Sequence, residues 1–183
     1  SKVNGCESEA SVHVTEDTAS PSKPNVTPAG TCYGSSNVAL SASGDNLRWY
    51  SDAGLTNLVG TGTSFTPTVT AQKTHDFYVT QTSNDNGCTS PAKRVNYEIY
   101  PLPDKPSVPD VSICYQEPNP LIEAIPDDSQ DDVYWYNSSD SLLAVSDSYR
   151  PDTSAPGTYE YRVTEVDDNG CESEQEKAFF TIN

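Results

Sequence analysis

Val38-Ala39-Leu40-Ser41-Ala42-Ser43-Gly44-Asp45-Asn46-Leu47-Arg48-Trp49-Tyr50 is the stretch whose reading decides the fold class. Val38, Leu40 and Ala42 fall on one face of an extended segment, and Ser43-Gly44-Asp45-Asn46 stops it. Leu47 and Trp49 then point one way, Arg48 and Tyr50 the other. The same alternation recurs at Phe77-Tyr78-Val79-Thr80-Gln81 and Val95-Asn96-Tyr97-Glu98-Ile99-Tyr100, with Ser83-Asn84-Asp85-Asn86-Gly87 as a turn between. A period of two, cut at short intervals by turn residues, predicts an all-β sandwich.

The plan occurs twice. Leu121-Ile122-Glu123-Ala124, Val133-Tyr134-Trp135-Tyr136, Tyr159-Glu160-Tyr161-Arg162-Val163 and Ala178-Phe179-Phe180-Thr181-Ile182 repeat it. Asn-Gly-Cys stands at Asn4-Gly5-Cys6, Asn86-Gly87-Cys88 and Asn169-Gly170-Cys171, with cysteine spacings of 82 and 83 residues. Cys32-Tyr33 and Cys114-Tyr115 are 82 apart, and Trp49-Tyr50 and Trp135-Tyr136 are 86 apart. So many landmarks in one order and at nearly one period mean duplication.

Residues 4–9 match residues 169–174 one for one, so residues 1–16 read as the last strand of a truncated preceding repeat. A linker at 17–23, repeat one at 24–100, a proline-rich linker at 101–106 and repeat two at 107–183 complete the expected organisation. The parent chain is expected to be longer, and a missing signal peptide then says nothing about export. Proline fixes φ, which keeps both linkers extended and semi-rigid.

Trp49 and Trp135 on the third strand, with Tyr78 and Tyr161 on the penultimate one, fit an immunoglobulin-like core. The expected architecture is tandem Ig-like sandwiches of seven short strands each. The order Cys-x-Gly, Val-x-Leu-x-Ala, Trp-Tyr, Gly-Thr-Gly-x-Ser-Phe, Phe-Tyr-Val-Thr, Asn-Gly-Cys-Thr-Ser, Val-x-Tyr-x-Ile resembles the Ig-like repeats of very large surface and secreted proteins of Bacteroidota. The resemblance covers Pro24 to Asn183 and is close in repeat one. Repeat two lacks Gly-Thr-Gly, carries Gln116 where repeat one has Gly34, and is more acidic. It implies type IX secretion, a place outside the cell or on its surface, and company with gliding adhesins and polysaccharide-degrading enzymes. It further implies O-glycosylation at Asp-Ser/Thr followed by a small aliphatic residue, which selects Thr18 and Ser141.

The 183 residues carry 10 Lys and Arg against 27 Asp and Glu, for a net charge of -17. That balance argues against nucleic acid, whose phosphates demand cations. No uncharged apolar run approaches the roughly 18 residues of a membrane span, so no membrane insertion is expected. The charge is uneven: residues 22–103 are neutral, and residues 104–183 carry -14. Asp127, Asp128, Asp131, Asp132, Asp167 and Asp168 fall in two loops that share a pole of an Ig-like sandwich. Six carboxylates there could hold Ca²⁺, a hard cation that takes oxygen ligands. The plainer alternative is solubilising loop charge.

His13 and His75 are the only histidines. With no phosphate loop, zinc spacing or nucleotide fingerprint, no catalytic residue is expected and the chain is read as a non-enzyme. Tyr50 and Tyr136, beside the core tryptophans and joined by Tyr134, are expected on the outer sheet face, where aromatic rings can stack sugars.

Five cysteines in an exported chain suggest bridges. In an Ig-like order Cys32 and Cys114 lie at the bottom pole, Cys88 and Cys171 at the top. A five-residue strand separates the poles by ~17–20 Å, whereas bridged Cα atoms lie within ~7 Å. An inter-repeat Cys32–Cys171 staple is therefore the leading expectation, with Cys32–Cys88 and Cys114–Cys171 as the alternative. The partner of Cys6 lies outside this sequence in either case.

Three functions stand. The first is a link in a long extracellular stalk or adhesin filament, partnered by neighbouring repeats. The second is a carbohydrate-binding module contacting surface glycans, and the third a non-catalytic spacer of a polysaccharide-degrading enzyme.

Overall fold

The computed structural model describes the backbone of residues 2–3 and 6–7 and the whole of residues 19–183. The expectations placed on His13, on Thr18 and on the Cys6 side chain lie outside the described residues.

Every regular element among the described residues is a strand. In chain order these are β1 (Lys2–Val3), β2 (Cys6–Glu7), β3 (Asn25–Thr27), β4 (Ala29–Cys32), β5 (Leu40–Ser43), β6 (Arg48–Tyr50), β7 (Leu58–Thr61), β8 (Ser64–Phe65), β9 (Thr74–Thr80), β10 (Lys93–Tyr100), β11 (Val111–Ile113), β12 (Ile122–Glu123), β13 (Asp132–Asn137), β14 (Leu142–Val145), β15 (Ser148–Tyr149), β16 (Gly157–Val166) and β17 (Glu176–Ile182). Two five-stranded sheets have corresponding orders, β4-β10-β9-β6-β7 and β11-β17-β16-β13-β14. Smaller sheets β3-β5-β8 and β12-β15 accompany them, and an isolated antiparallel bridge joins Ser107 to Ile125.

The first strand of repeat one is split, which raises the expected seven strands to eight. Pro28 breaks it, because proline supplies no N–H to a ladder. β3 pairs antiparallel with β5, and β4 pairs parallel with β10 in the other sheet. Pro109 precedes β11, which pairs parallel with β17.

The chain divides into two compact units, one of Ser1–Pro28, Ala39–Phe65 and Asp76–Val95, the other of Ala29–Val38, Thr66–His75 and Asn96–Asn183. The division runs through β9 and β10. In the first unit Leu40, Leu47, Trp49, Phe77, Val79 and Val95 are buried. Phe65 stacks on Trp49 at 5.7 Å and meets Phe77 edge-on at 5.2 Å. The Trp49 indole N–H, which needs a partner once buried, donates to Gly62 O at 2.8 Å.

In the second unit Ile122, Ala124, Val133, Trp135, Tyr161, Val163, Ala178, Phe180 and Ile182 form one cluster. Trp135 Nε1 donates to Ser146 O at 2.8 Å, and Tyr149 bridges the rings of Trp135 and Tyr161. Asn37 Nδ2 donates to Pro67 O and Val69 O, and Asn119 Nδ2 donates to Pro151 O and Thr153 O, so one latch is used twice.

Two expected positions shift. Tyr78 is not the core residue of β9. Trp49 pairs with Val79, and both are fully buried, which fixes the inward frame as Phe77 and Val79. Tyr78 stands opposite Tyr50 on the other face and is half-buried. The counterpart of Tyr161 is thus Phe77. Val38 is also not inward: it precedes β5, stays 46% exposed, and its N–H donates to Tyr97 Oη at 2.9 Å.

Candidate functional site

The acidic pole is organised by a residue the charge count overlooks. Glu165 lies near the end of β16, and alternation with Val163 turns it inward, where it is fully buried. A buried carboxylate must be satisfied by donors. Its Oε2 accepts from Asp127 N at 2.8 Å and its Oε1 from Asp128 N at 3.0 Å. Its own N–H donates to Ser173 Oγ at 2.9 Å. Glu165 thereby pins the loop between β12 and β13. The same anchor recurs at the equivalent place in repeat one, where Gln81 Oε1 accepts from Asp45 N at 3.0 Å.

Around Glu165 lies a cavity of about 350 Å³ lined by Pro101–Asp104, Asp127, Asp128, Asp131 and Asp167–Asn169. Five of the six selected aspartates line it. Asp132 does not, being exposed at the start of β13. Burial, the neighbouring Glu165 carboxyl and the charges of Asp128 and Asp167 push Asp131 up to about 6. Much of the remaining oxygen capacity serves the loops themselves. Asp167 Oδ1 accepts from Asn169 N and Cys171 N, and Asp128 Oδ1 accepts from Gln130 N. Among the described residues no group of three or more His, Cys, Asp or Glu is arranged to hold a metal ion.

On the outer face of β13, Tyr134 and Tyr136 stack at 6.5 Å with 24° between ring planes. Tyr136 Oη donates to Glu172 Oε1 at 2.9 Å, and Thr164 Oγ1 donates to the same oxygen at 2.7 Å. Burial, reinforced by the Glu172 carboxylate, pushes the Tyr136 phenol up to about 12. Val145 and Leu142 stand opposite these tyrosines on β14 and are exposed. Tyr50 is half-buried opposite Tyr78 and Leu58.

Ser141 is exposed after the turn at Asn137–Asp140, and its N–H donates to Asn137 Oδ1. Asp140 is tied to Arg162 at 2.6 Å, which holds its carboxyl below the usual range. His75 Nε2 lies 2.9 Å from Ala71 O.

Cys32 and Cys171 are joined across 139 residues, with Cα atoms 5.4 Å apart. Neither Cys32–Cys88 nor Cys114–Cys171 is formed; Cys88, partly buried, and Cys114, exposed, are free thiols. Cys32 is the last residue of β4, and Cys171 sits in the turn after β16. Both belong to the second compact unit.

Residues 21–101 match the family model described as Ig-like domain, CHU_C associated. No curated protein matches the chain. Among solved structures, the fibronectin(III)-like modules of Clostridium thermocellum CbhA are 15% identical, with a TM-score of 0.51 over 87% of this chain and 94% of that one. At that identity the likeness shows the fold alone, an all-β Ig-like or fibronectin-III-like sandwich. A biofilm-associated protein's BSP domain is 17% identical over 87% of this chain and 29% of that one, with a TM-score of 0.33. A Bacteroides ovatus SGBP-B structure, solved with a mixed-linkage heptasaccharide, is 11% identical over 87% and 47%, with a TM-score of 0.30. The last two overlaps are too loose to bear on fold or function.

Proposed function

We propose that the chain is a non-catalytic structural element of an extracellular or cell-surface protein, a link in a stalk or adhesin filament of the bacterial surface. The observation that carries this reading is the Cys32–Cys171 bridge between segments 139 residues apart. Reducing cytosol keeps such thiols apart, whereas exported proteins keep them joined. Two sets of strands in corresponding order and a charge of -17 suit a well-solvated spacer. Biotinylation of intact native cells with a membrane-impermeant reagent tests it. Labelling before lysis is the expected result, and labelling only after lysis overturns it.

The Tyr134–Tyr136 ledge favours one further reading, contact with a surface glycan. Near-parallel rings present flat apolar area, and Glu172 beside them supplies hydrogen-bond acceptance. Binding on a glycan array that disappears with Tyr136→Ala supports it; an array blank for the unaltered chain rejects it.

A further inference from the structure

Each free cysteine stands in a turn that resembles the turn of one partner of the bonded pair. Tyr33 N donates to Tyr100 O at 2.9 Å, and Tyr115 N donates to Asn183 O at 2.8 Å. Ser35 N donates to Cys32 O and Glu117 N to Cys114 O, both at 3.1 Å. The residue two places after each cysteine is left-handed, Gly34 at φ 81° and Gln116 at φ 73°. Cys114 therefore occupies a copy of the turn that presents Cys32.

Cys88 sits in a turn like that of Cys171 but one residue longer, and in each the cysteine follows a left-handed glycine. Ser83 N donates to Cys88 O at 2.9 Å and Asp167 N to Cys171 O at 3.1 Å. Gly87 and Gly170 are left-handed at 70° and 76°. Cys88 N donates to Asn86 Oδ1 and Cys171 N to Asp167 Oδ1. Ser90 N donates to Gln81 O and Ser173 N to Glu165 O, each at 2.8 Å.

We propose that Cys88 and Cys114 are the two halves of a second connector, through which Cys114 of one copy of this chain bonds to Cys88 of the copy that follows it. The Cys32–Cys171 bridge is the template, and the partner is a second copy of the same sandwiches presenting the complementary turn. Tyr115, 54% exposed, stands at that end as Tyr33, 49% exposed, stands beside Cys32. The bond forms by thiol–disulfide exchange. The two thiols lose two protons and two electrons to a small-molecule disulfide such as oxidised glutathione, which leaves as two thiols. The proposal rests on the reading of the chain as a structural link.

The test uses a polypeptide in which two whole copies follow one another, with Cys6→Ser in both. The forward variant also carries Cys88→Ser in the first copy and Cys114→Ser in the second. The reverse variant exchanges these two substitutions between the copies. Each is equilibrated with a glutathione redox couple at low protein concentration, alkylated and peptide-mapped. The forward variant is expected to keep no free thiol and to yield a Cys88–Cys114 peptide; the reverse is expected to keep two thiols. Two thiols in the forward variant, or equal bridging in both, overturns the connector. If the Cys32–Cys171 peptide is present in those cases, the structural-link reading survives; if it is absent, the template and the connector fail together.

Discussion

At the scale of single residues the two tryptophans carry the largest stake. Trp49 and Trp135 are fully buried, and each indole N–H is satisfied by a loop carbonyl. Replacing either with Ala is expected to cost ~3–5 kcal/mol, against the ~5–15 kcal/mol that holds a domain of this size. Amide hydrogen exchange along a urea series, read at the strands around the replaced tryptophan, measures it, and a loss under ~1 kcal/mol contradicts the assigned cores. Asp131 carries a pH dependence. Its folded-state value of about 6 stands above the ordinary 3.8, so the folded chain holds a proton that the unfolded chain has released between those values. Stability is expected to rise as pH falls from ~7 to ~5, and solvent screening of this partly exposed group limits the gain to about 1 kcal/mol. Lys177 and Arg162 hold Glu160 low, and Arg162 holds Asp140 low. What those two contribute is lost only as pH falls further, which leaves the upper window to Asp131. Melting curves across that window check the sign: Asp131→Asn should melt higher at pH 7 and flatten the slope, and an unchanged slope assigns it elsewhere.

At the scale of elements, Glu165 links β16 to the loop before β13 through two backbone amides. Glu165→Ala leaves both donors without it and is expected to cost ~3 kcal/mol. Glu165→Gln keeps one acceptor, as Gln81 does in repeat one, and is expected to cost about 1 kcal/mol. Amide hydrogen exchange at Asp127 and Asp128 reads the loop directly. Equal exchange in the two variants would mean that the carboxylate is not the anchor. Strand positions and turns were legible in the sequence because period-two alternation and Asn-Gly turns are local. The frame of β9 was not: Phe77-Tyr78-Val79 alternates equally well either way, and only the pairing of Val79 with Trp49 chooses. Glu165 escaped for a related reason. Charge counting places Glu outside, whereas its alternation with Val163 places it inside. The split first strand was carried by Pro28, a signal the run of prolines around it obscured.

At the scale of the whole molecule, the repeat landmarks allowed the sandwich class to be read from the sequence. The two five-stranded sheets have corresponding strand orders. The acidic pole was legible as a cluster of charge but not as a loop anchored on one buried carboxylate, since that depends on backbone donors the sequence does not display. The central claim is the covalent tie between the Cys32-Tyr33 turn and the Asn169-Gly170-Cys171 turn. A loop as long as 139 residues, once closed, restricts the unfolded chain by ~4–5 kcal/mol in the chain-entropy account, so reduction should lower the melting temperature. The direct measurement is peptide mapping without reduction, after alkylation of free thiols in the protein taken from its native source. The account predicts a Cys32–Cys171 peptide and none joining Cys32 to Cys88; recovery of Cys32–Cys88 and Cys114–Cys171 peptides in its place would contradict it.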